Sequence, residues 1–348
     1  MGTELTDTIG SALRQWAALA LTALAVGAQA QSPSTAPPPY APLDVAGQAG
    51  RLAWWGDLDG LERLYTEVNQ PGRYTTQGNV LLQDFRRRTD DVFSTPKDTG
   101  SAFMAEIDAM TLAWAEQRPM LPMVHWLRAQ ALINRGWEVR GSGLAKEVPQ
   151  RAWAEFRSHL DGAVQHLART AAVSLLDSSA YRELIIAGRG LDWDQRRIEQ
   201  LAAAGLQRNP DDLGLWHQLV TGSLPKWGGS AALVDRTILR AAGQYRDRGD
   251  EIYARLYVSA AEEEFSHNVF NDSAADWPRI RKGLRDSIGR WPAKAVFWNR
   301  LAYFACLKED RDTLTEALDS IQNKPDLDQW GKNPRRVFEA CQKLGRQS

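Results

Sequence analysis

Apolar residues recur along this chain at the spacing of one helix face, and this period limits the available folds more than any other feature. From residue 50 onward they fall three or four, then seven or eight, positions apart, as in an amphipathic α-helix. No run of alternating β-branched residues is long enough to predict a strand. The sequence therefore predicts an all-α fold. The clearest stripes are Leu58, Leu61, Tyr65 and Val68; Phe103, Ile107, Met110 and Trp114; Trp153, Phe156, Leu160, Ala163, Val164 and Leu167; and Ile198, Leu201, Ala202, Gly205 and Leu206.

Prolines and glycines interrupt these stripes where one helix should end and the next begin. Neither residue is comfortable inside a helix, because proline lacks the N–H donor and glycine loses the most backbone entropy. Ser230 follows one such break and is a favoured N-cap residue, so we expect a helix over Ala231–Ala242. The main breaks lie at Pro71–Gly72, Thr95–Pro96, Pro119, Gly141–Gly143, Asn209–Pro210 and Gly228–Gly229.

Residues 194–226 are echoed by residues 276–308. In both stretches one helix ends, a proline breaks the chain, and a tryptophan, Trp216 or Trp298, opens the next helix. A repeated helix pair cannot bury its apolar face alone and must stack on its neighbours. We therefore predict stacked antiparallel helix pairs, an α-solenoid or α–α superhelix that resembles degenerate tetratricopeptide repeats. A last helix over Pro334–Leu344 is expected to cap the stack.

Residues 1–30 have the pattern of a secretory signal peptide. An apolar run over Trp16–Val26 follows Arg14 and is too short to cross a bilayer, which takes about 20 residues. Ala28 and Ala30 form a small-x-small cleavage site, so we predict cleavage after Ala30. The alternative is a first core helix, which this motif and the following prolines disfavour.

The next stretch is rich in proline and predicts a linker. Residues 31–42 contain five prolines, which favour an extended chain without a core of its own. We assign residues 31–46 to this linker and residues 47–348 to the helical-repeat domain, and leave open a further boundary near residue 190. A signal peptide, with no transmembrane segment in the mature chain, predicts a periplasmic or secreted protein.

The chain has two cysteines, Cys306 and Cys341. An even pair in an exported chain is typical of a disulfide, because oxidising compartments allow such bonds to persist. The alternative is two separate buried thiols.

Charge is balanced, with 42 Lys and Arg against 43 Asp and Glu. A neutral body gives no electrostatic reason to expect nucleic acid or an anionic membrane as a partner, since both attract basic surfaces. The basic triplet Arg86–Arg88 is followed closely by Asp90 and Asp91, and we predict a solvated helix face for it.

Two glycine-rich loops are the candidate binding sites. In the first, Trp137, Arg140 and Ser142 lie among three glycines, and backbone N–H groups of such a loop can hold an anion. The alternative is a tight turn whose arginine pairs with carbonyls at the helix end.

In the second loop, Lys226 and Trp227 precede Gly228 and Gly229. Trp227 could serve as a stacking platform with Lys226 as its charge partner, because the glycines let a ligand approach. The alternative is that Trp227 fills a gap between helices.

Signals for metal or acid–base chemistry are weak. Glu264 and His267 have the ExxH spacing of di-iron bundles, but such sites need two pairs and further glutamates. No HExxH, CxxC or GxSxG motif is present. We therefore assign no catalytic residue, no metal and no cofactor, and leave enzymatic activity open.

Three stretches resemble the bacterial Domain of Unknown Function 4034 family. They are Asn134–Gly143, Leu224–Ser230, and Phe304–Cys306 with Asp310. The resemblance runs from about residue 50 to residue 345. It implies an exported or membrane-associated helical-repeat protein, and it brings no reaction and no catalytic residue with it.

Two functions follow from these observations as hypotheses. The first is a protein- or peptide-binding scaffold of the bacterial envelope, because stacked helix pairs create extended concave surfaces. The second is an enzyme or small-ligand binder that acts on an envelope polymer through the Trp137/Arg140 and Lys226/Trp227 loops.

Overall fold

Helices account for the regular structure of the described residues. A computed structural model describes residues 44–94, 100–143, 145–322 and 324–346. The predicted signal peptide and residues 31–43 of the predicted linker lie outside these ranges. Within them the only β-type pairing is an isolated bridge between Tyr74 and Val80, so the predicted all-α class is confirmed.

The helices follow one another through short connections. In chain order they are α1 (Val45–Trp54), α2 (Leu58–Val68), α3 (Leu81–Phe93), α4 (Gly100–Gln117), α5 (Pro122–Arg140), α6 (Gln150–Arg169), α7 (Ala171–Ser174), α8 (Ser178–Gly190), α9 (Gln195–Arg208), α10 (Leu213–Ser223), α11 (Ala231–Gln244), α12 (Gly249–Ala260), α13 (Val269–Asp272), α14 (Trp277–Arg290), α15 (Lys294–Lys308), α16 (Arg311–Ser320) and α17 (Pro334–Gly345). Short 3₁₀ turns lie at Ala145–Glu147, Pro225–Trp227, Arg246–Arg248, Ser266–Asn268 and Leu327–Gln329, and a π turn at Ala261–Phe265.

Side-chain caps fix where several helices begin. Ser230 accepts a hydrogen bond from the Leu233 N–H at 3.2 Å, as its position predicts, and α11 starts at the next residue. Asp194 and Asp276 do the same for α9 and α14. Each cap satisfies a backbone donor that the helix itself leaves unpaired, which stabilises the start by about 1 kcal/mol.

The helices from α5 onward stack in two layers. Helices α5, α8, α10 and α12 contact one another in turn, and we call these four, with α15, the inner layer. Helices α6, α9, α11 and α14 connect them in sequence and pack against them. This arrangement of antiparallel pairs confirms the predicted helical-repeat architecture.

The predicted echo corresponds to two helix pairs, α9–α10 and α14–α15. Trp216 is 2% exposed in the core. Trp298 is only partly buried, because its neighbour Phe297 takes the fully buried position in α15. The two repeated stretches thus form the same helix–turn–helix, but their equivalent tryptophans are not equally buried in the core.

The segment between α2 and α3 folds back onto the inner layer. We call residues 73–80 the docked segment. The Tyr74 hydroxyl donates to Asp211 at 2.5 Å, and its ring lies 5.5 Å from that of Trp291. Arg255 of α12 donates to the Gly78 carbonyl at 3.1 Å. Successive repeats therefore hold one tight turn of their own chain, which is closed by the bridge between Tyr74 and Val80.

Helix α3 follows the docked segment and brings Arg86 into the interior. Arg86 is 1% exposed, and both of its terminal nitrogens donate to Asp212, at 2.6 and 2.7 Å. The predicted solvated face is therefore wrong for Arg86, although it holds for Arg87 and Arg88, which lie at the surface near Asp91. The reason is that one side of α3 faces the start of α10.

The C-terminal helix α17 closes the stack, one residue longer than predicted. It packs on α15 and α16, and Phe338 lies edge-on to the buried Trp330 at 4.9 Å. A disulfide joins Cys306 of α15 to Cys341 of α17, with the Cα atoms 5.5 Å apart.

Candidate functional site

The two glycine-rich loops meet in space. The rings of Trp137 and Trp227 lie edge to face, with centroids 5.8 Å apart and planes at 81°. Trp137 belongs to the last turns of α5, and Trp227 to the short turn after α10. The geometric requirement of the second hypothesis, that the loops form one site, is therefore met.

Arginines stack on the tryptophans around this contact. The Arg140 guanidinium lies 5.8 Å from the Trp137 ring and 5.2 Å from the Trp153 ring. Arg189 lies 5.0 Å from the Trp227 ring. These five residues form what we call the Trp–Arg cluster. Cations over indole faces are held by the ring quadrupole.

Helix ends position the members of the cluster. Trp137 and Arg140 end α5, Trp153 begins α6, and Arg189 lies in the last turn of α8. Because inner-layer helices run in the same direction, their C-terminal ends share one edge of the stack. The cluster therefore draws on three connections, those after α5, α8 and α10, that are far apart in the sequence.

The first loop is a turn rather than an anion cradle. The Gly141 N–H donates back to the Trp137 and Glu138 carbonyls, so it does not face a ligand. Arg140 donates to the carbonyls of Gly141 and Gly143 at 2.9 and 2.7 Å. Ser142 is exposed in this turn. Of the two interpretations of this loop, the turn whose arginine binds helix-end carbonyls describes the structure.

The second loop is docked against the π turn. The Lys226 ammonium donates to the Glu263 carbonyl oxygen at 2.9 Å, and its backbone N–H donates to the Glu264 carboxylate. Gly228 has a φ of 81°, and a Cβ at Gly229 would lie 2.0 Å from the Ser223 oxygen. Both glycines are thus needed for the fold of this loop, and Lys226 is paired with Glu263 rather than free for a ligand.

Arg189 and Gln218 belong to the site and carry no sequence motif. Arg189 donates to the Gln218 side-chain oxygen at 3.0 Å. Its Nε atom is buried and has no hydrogen-bond partner among the described residues. Burial lowers the pKa of the guanidinium to about 10, although the charge of Glu263 acts in the opposite direction. The side chain remains positively charged at neutral pH.

Beyond the cluster, the C-terminal halves of the inner-layer helices carry polar side chains. Thr221 of α10 donates to Glu263 at 2.7 Å, and Arg300 of α15 lies 3.9 Å from Glu262. The docked segment lies at the N-terminal ends of α10 and α15 and against Arg255 of α12. We call the part of the layer that it does not contact, with Arg189, Gln218, Thr221, Glu262 and Arg300, the open half.

The Glu264/His267 pair does not share a helix face. Glu264 lies in the π turn and His267 in the next 3₁₀ turn, and Ser266 between them has a φ of 50°, which ends the helical path. The continuous helix on which the ExxH spacing would bring the two side chains together is therefore absent here. In the described part of the chain, no group of three or more potential ligands is arranged to hold a metal ion.

The fold and the site define the chain as an all-α protein of stacked helix pairs with a tryptophan- and arginine-rich surface at one edge. No family model, curated protein or solved structure matches it. The resemblance to the Domain of Unknown Function 4034 family therefore remains a prediction. Among the helices of the described ranges, none is both long and apolar enough to span a membrane.

Proposed function

We propose that this chain is a protein- or peptide-binding scaffold of the bacterial envelope. Its binding surface is the open half of the inner layer, together with the Trp–Arg cluster at its edge. The proposed partner is a segment of another chain that lies along this surface. No step of covalent chemistry is part of the proposal.

The docked segment is the observation that carries the proposal. Arg255 of the inner layer and the connection between α14 and α15 hold this segment through groups that would serve equally for a foreign peptide. Arg255 binds a main-chain carbonyl, the Ala293 N–H donates to the Thr76 carbonyl at 3.0 Å, and Trp291 contacts an aromatic side chain. The open half continues the same layer and offers arginine and amide groups, with the Trp227 indole of the Trp–Arg cluster at its edge.

Two features support an exported location. Residues 1–30 have the signal-peptide pattern described above, and the Cys306–Cys341 disulfide suits an oxidising compartment. A periplasmic or secreted binding protein is consistent with both.

Site-specific photo-cross-linking in intact cells tests the proposal. A photoreactive amino acid replaces Glu262, whose side chain is 53% exposed at the open half. We expect a reproducible cross-linked protein at native abundance. The matched control places the same group at Leu239 of α11, which is 44% exposed on the other layer.

Comparing the cross-links from the two positions tests whether a partner binds at the open half. A partner captured from Glu262 and not from Leu239 supports binding at the open half. Equal capture from both positions, or no capture from Glu262, contradicts it.

The meeting of Trp137 and Trp227 favours a second candidate, a binder of an envelope polymer. Indole faces stack on sugar rings, and Trp227 is 37% exposed. Titration with soluble fragments of cell-wall polymer, followed by tryptophan fluorescence, tests this version. A Trp227→Ala variant that binds the fragments as well as the wild type would contradict it.

A further inference from the structure

We propose that Arg189 anchors a carboxylate of the bound peptide, which makes the preferred partner an acidic segment. This inference rests on the proposed peptide-binding function and names the chemistry of its ligand. Two observations support it: the guanidinium of Arg189 is held by Trp227 and Gln218, and its charge has no carboxylate partner among the described residues.

The face and the edge of this guanidinium contact different groups. Its face stacks on Trp227 at 5.0 Å, and one edge nitrogen, Nη1, donates to Gln218. Because stacking occupies the face of the planar group and Nε is buried, the N–H groups at the Nη1–Nη2 end are those left for an acceptor. A carboxylate is the acceptor that matches two parallel N–H groups.

The charge of Arg189 is the exception among the interior arginines. Four others each have a carboxylate within salt-bridge distance: Arg86 with Asp212 at 2.6 Å, Arg128 with Asp108 at 2.7 Å, Arg182 with Glu183 at 2.5 Å, and Arg255 with Glu251 at 3.3 Å. Among the described residues, Arg189 has no such partner. Burial lowers the pKa of Arg189, as it also lowers that of the paired Arg255.

Neighbouring groups do not supply the missing anion. The nearby Glu263 carboxylate is engaged by Thr221 and by Lys226. The C-terminal end of α8 favours a cation, which offsets only part of the cost of burying it. An anion from outside would complete the pairing.

The surroundings favour a carboxylate over a phosphate. One arginine next to the negative Glu263 suits a single negative charge, whereas a phosphate dianion normally gathers several cations. The exposed part of Trp227 lies beside the guanidinium and suits an apolar side chain. We therefore expect Asp or Glu next to an apolar residue in the partner.

Two synthetic peptide pools test the inference. They are identical mixtures of apolar and polar residues, with Glu fixed at the centre of one pool and Gln at the centre of the other. Fluorescence polarisation measures binding to the full chain. We expect the Glu pool to bind about 10- to 100-fold more tightly, the range for hydrogen bonds to charged groups.

Variants separate anchoring from folding. Arg189→Met should abolish the preference for Glu, and Arg189→Lys should keep only part of it, since a lysine cannot bind bidentately. The matched control is Arg197→Met, which also removes an arginine stacked on an indole, that of Trp193 at 3.3 Å, but lies outside the proposed binding surface, and it should keep the preference. Arg189→Met should fold at least as stably as the wild type, because it removes an unpaired charge.

The outcomes distinguish the two proposals. If neither pool binds the wild type, peptide binding itself is contradicted. If both pools bind equally, or if Arg189→Met keeps the preference for Glu, only the carboxylate anchor is overturned. A uronic-acid oligosaccharide that displaces the Glu pool at equal concentration would overturn the assignment to a peptide.

Discussion

Identical residues in one triplet have different surroundings in this molecule. Arg86 is buried against Asp212, whereas the adjacent Arg87 has a side chain that is 62% exposed. Burial by itself would raise the pKa of Asp212, but the charge and hydrogen bonds of Arg86 hold that pKa below its usual value. The pair joins α3 to α10 and so fixes the N-terminal helices on the stack.

We predict that Arg86→Met lowers the free energy of unfolding by about 3–5 kcal/mol, because it leaves Asp212 buried and unpaired. Arg87→Met is the matched control and should change it by less than about 1 kcal/mol. Urea denaturation of the two variants measures the difference. Similar losses in both would contradict the structural role of the buried pair.

Two histidines, one in α5 and one in α6, form a polar contact between these helices. The Pro119 carbonyl can only accept, so His125 must carry its proton on Nε2, which lies 2.8 Å away. Nδ1 of His125 lies 3.2 Å from Nε2 of His166. Burial, with repulsion from His125 and Arg128, lowers the pKa of His166 to about 4.

This shift predicts a loss of stability in mild acid. The folded pKa is below the unfolded value of about 6.5, so the unfolded state binds the proton more tightly. Stability is full above about pH 6.5 and falls as the pH drops toward 4, by about 1–2 kcal/mol between pH 7 and pH 5 from His166.

The variant His166→Gln should make this fall shallower, because an amide can still donate to His125 and does not titrate. His217, whose pKa burial also lowers to about 4, would retain its own share. Urea denaturation at pH 7, 6 and 5 gives the slope. An unchanged slope in the variant would show that His166 is not responsible.

At the scale of elements, the docked segment depends on a close approach of backbone to side chain. Gly78 has a φ of 75°, and a Cβ there would lie 2.2 Å from the Trp291 ring. Gly72, just before the segment, has a φ of 74° but no atom within 4 Å of its would-be Cβ. Both glycines therefore adopt a positive φ, but only Gly78 also lies against another side chain.

We predict that Gly72→Ala costs about 1–2 kcal/mol, from the left-handed conformation alone. Gly78→Ala should cost more and should release the docked segment, because the added methyl group meets Trp291. Hydrogen exchange at residues 73–80 measures the release. Equal protection of the segment in both variants would argue against docking through Gly78.

Over the whole molecule, the disulfide ties the closing helix to the stack. It links α15 to α17 across a sequence separation of 35 residues. On the chain-entropy account, closing such a loop restrains the unfolded state by roughly 4 kcal/mol. The terminal helix has neighbours on one side only, so this restraint acts where the stack is least supported.

We expect Cys341→Ser to lower the free energy of unfolding by about 2–4 kcal/mol. The wild type in reductant should behave like the variant, and the variant should not respond to reductant. Thermal unfolding with and without reductant measures both effects. A wild-type midpoint that reductant leaves unchanged would refute the stabilising role.

Much of the fold could be predicted because its signals are local. Ser230 marked the start of α11, and Pro334 the start of α17, since caps and breaks act within a few residues. Amphipathic stripes likewise indicated which side of each helix faces the core. These features need no knowledge of which helix becomes the neighbour.

The candidate site could be predicted only in part. Trp137 and Trp227 were singled out by their glycines, but nothing in the sequence showed that they meet, or that Arg189 and Gln218 join them. The sequence by itself determined that the chain forms helices and that the helices stack. Tertiary structure decided which arginine is buried, where the docked segment lies and what surrounds Arg189, because these depend on residues far apart in the chain that only packing brings together.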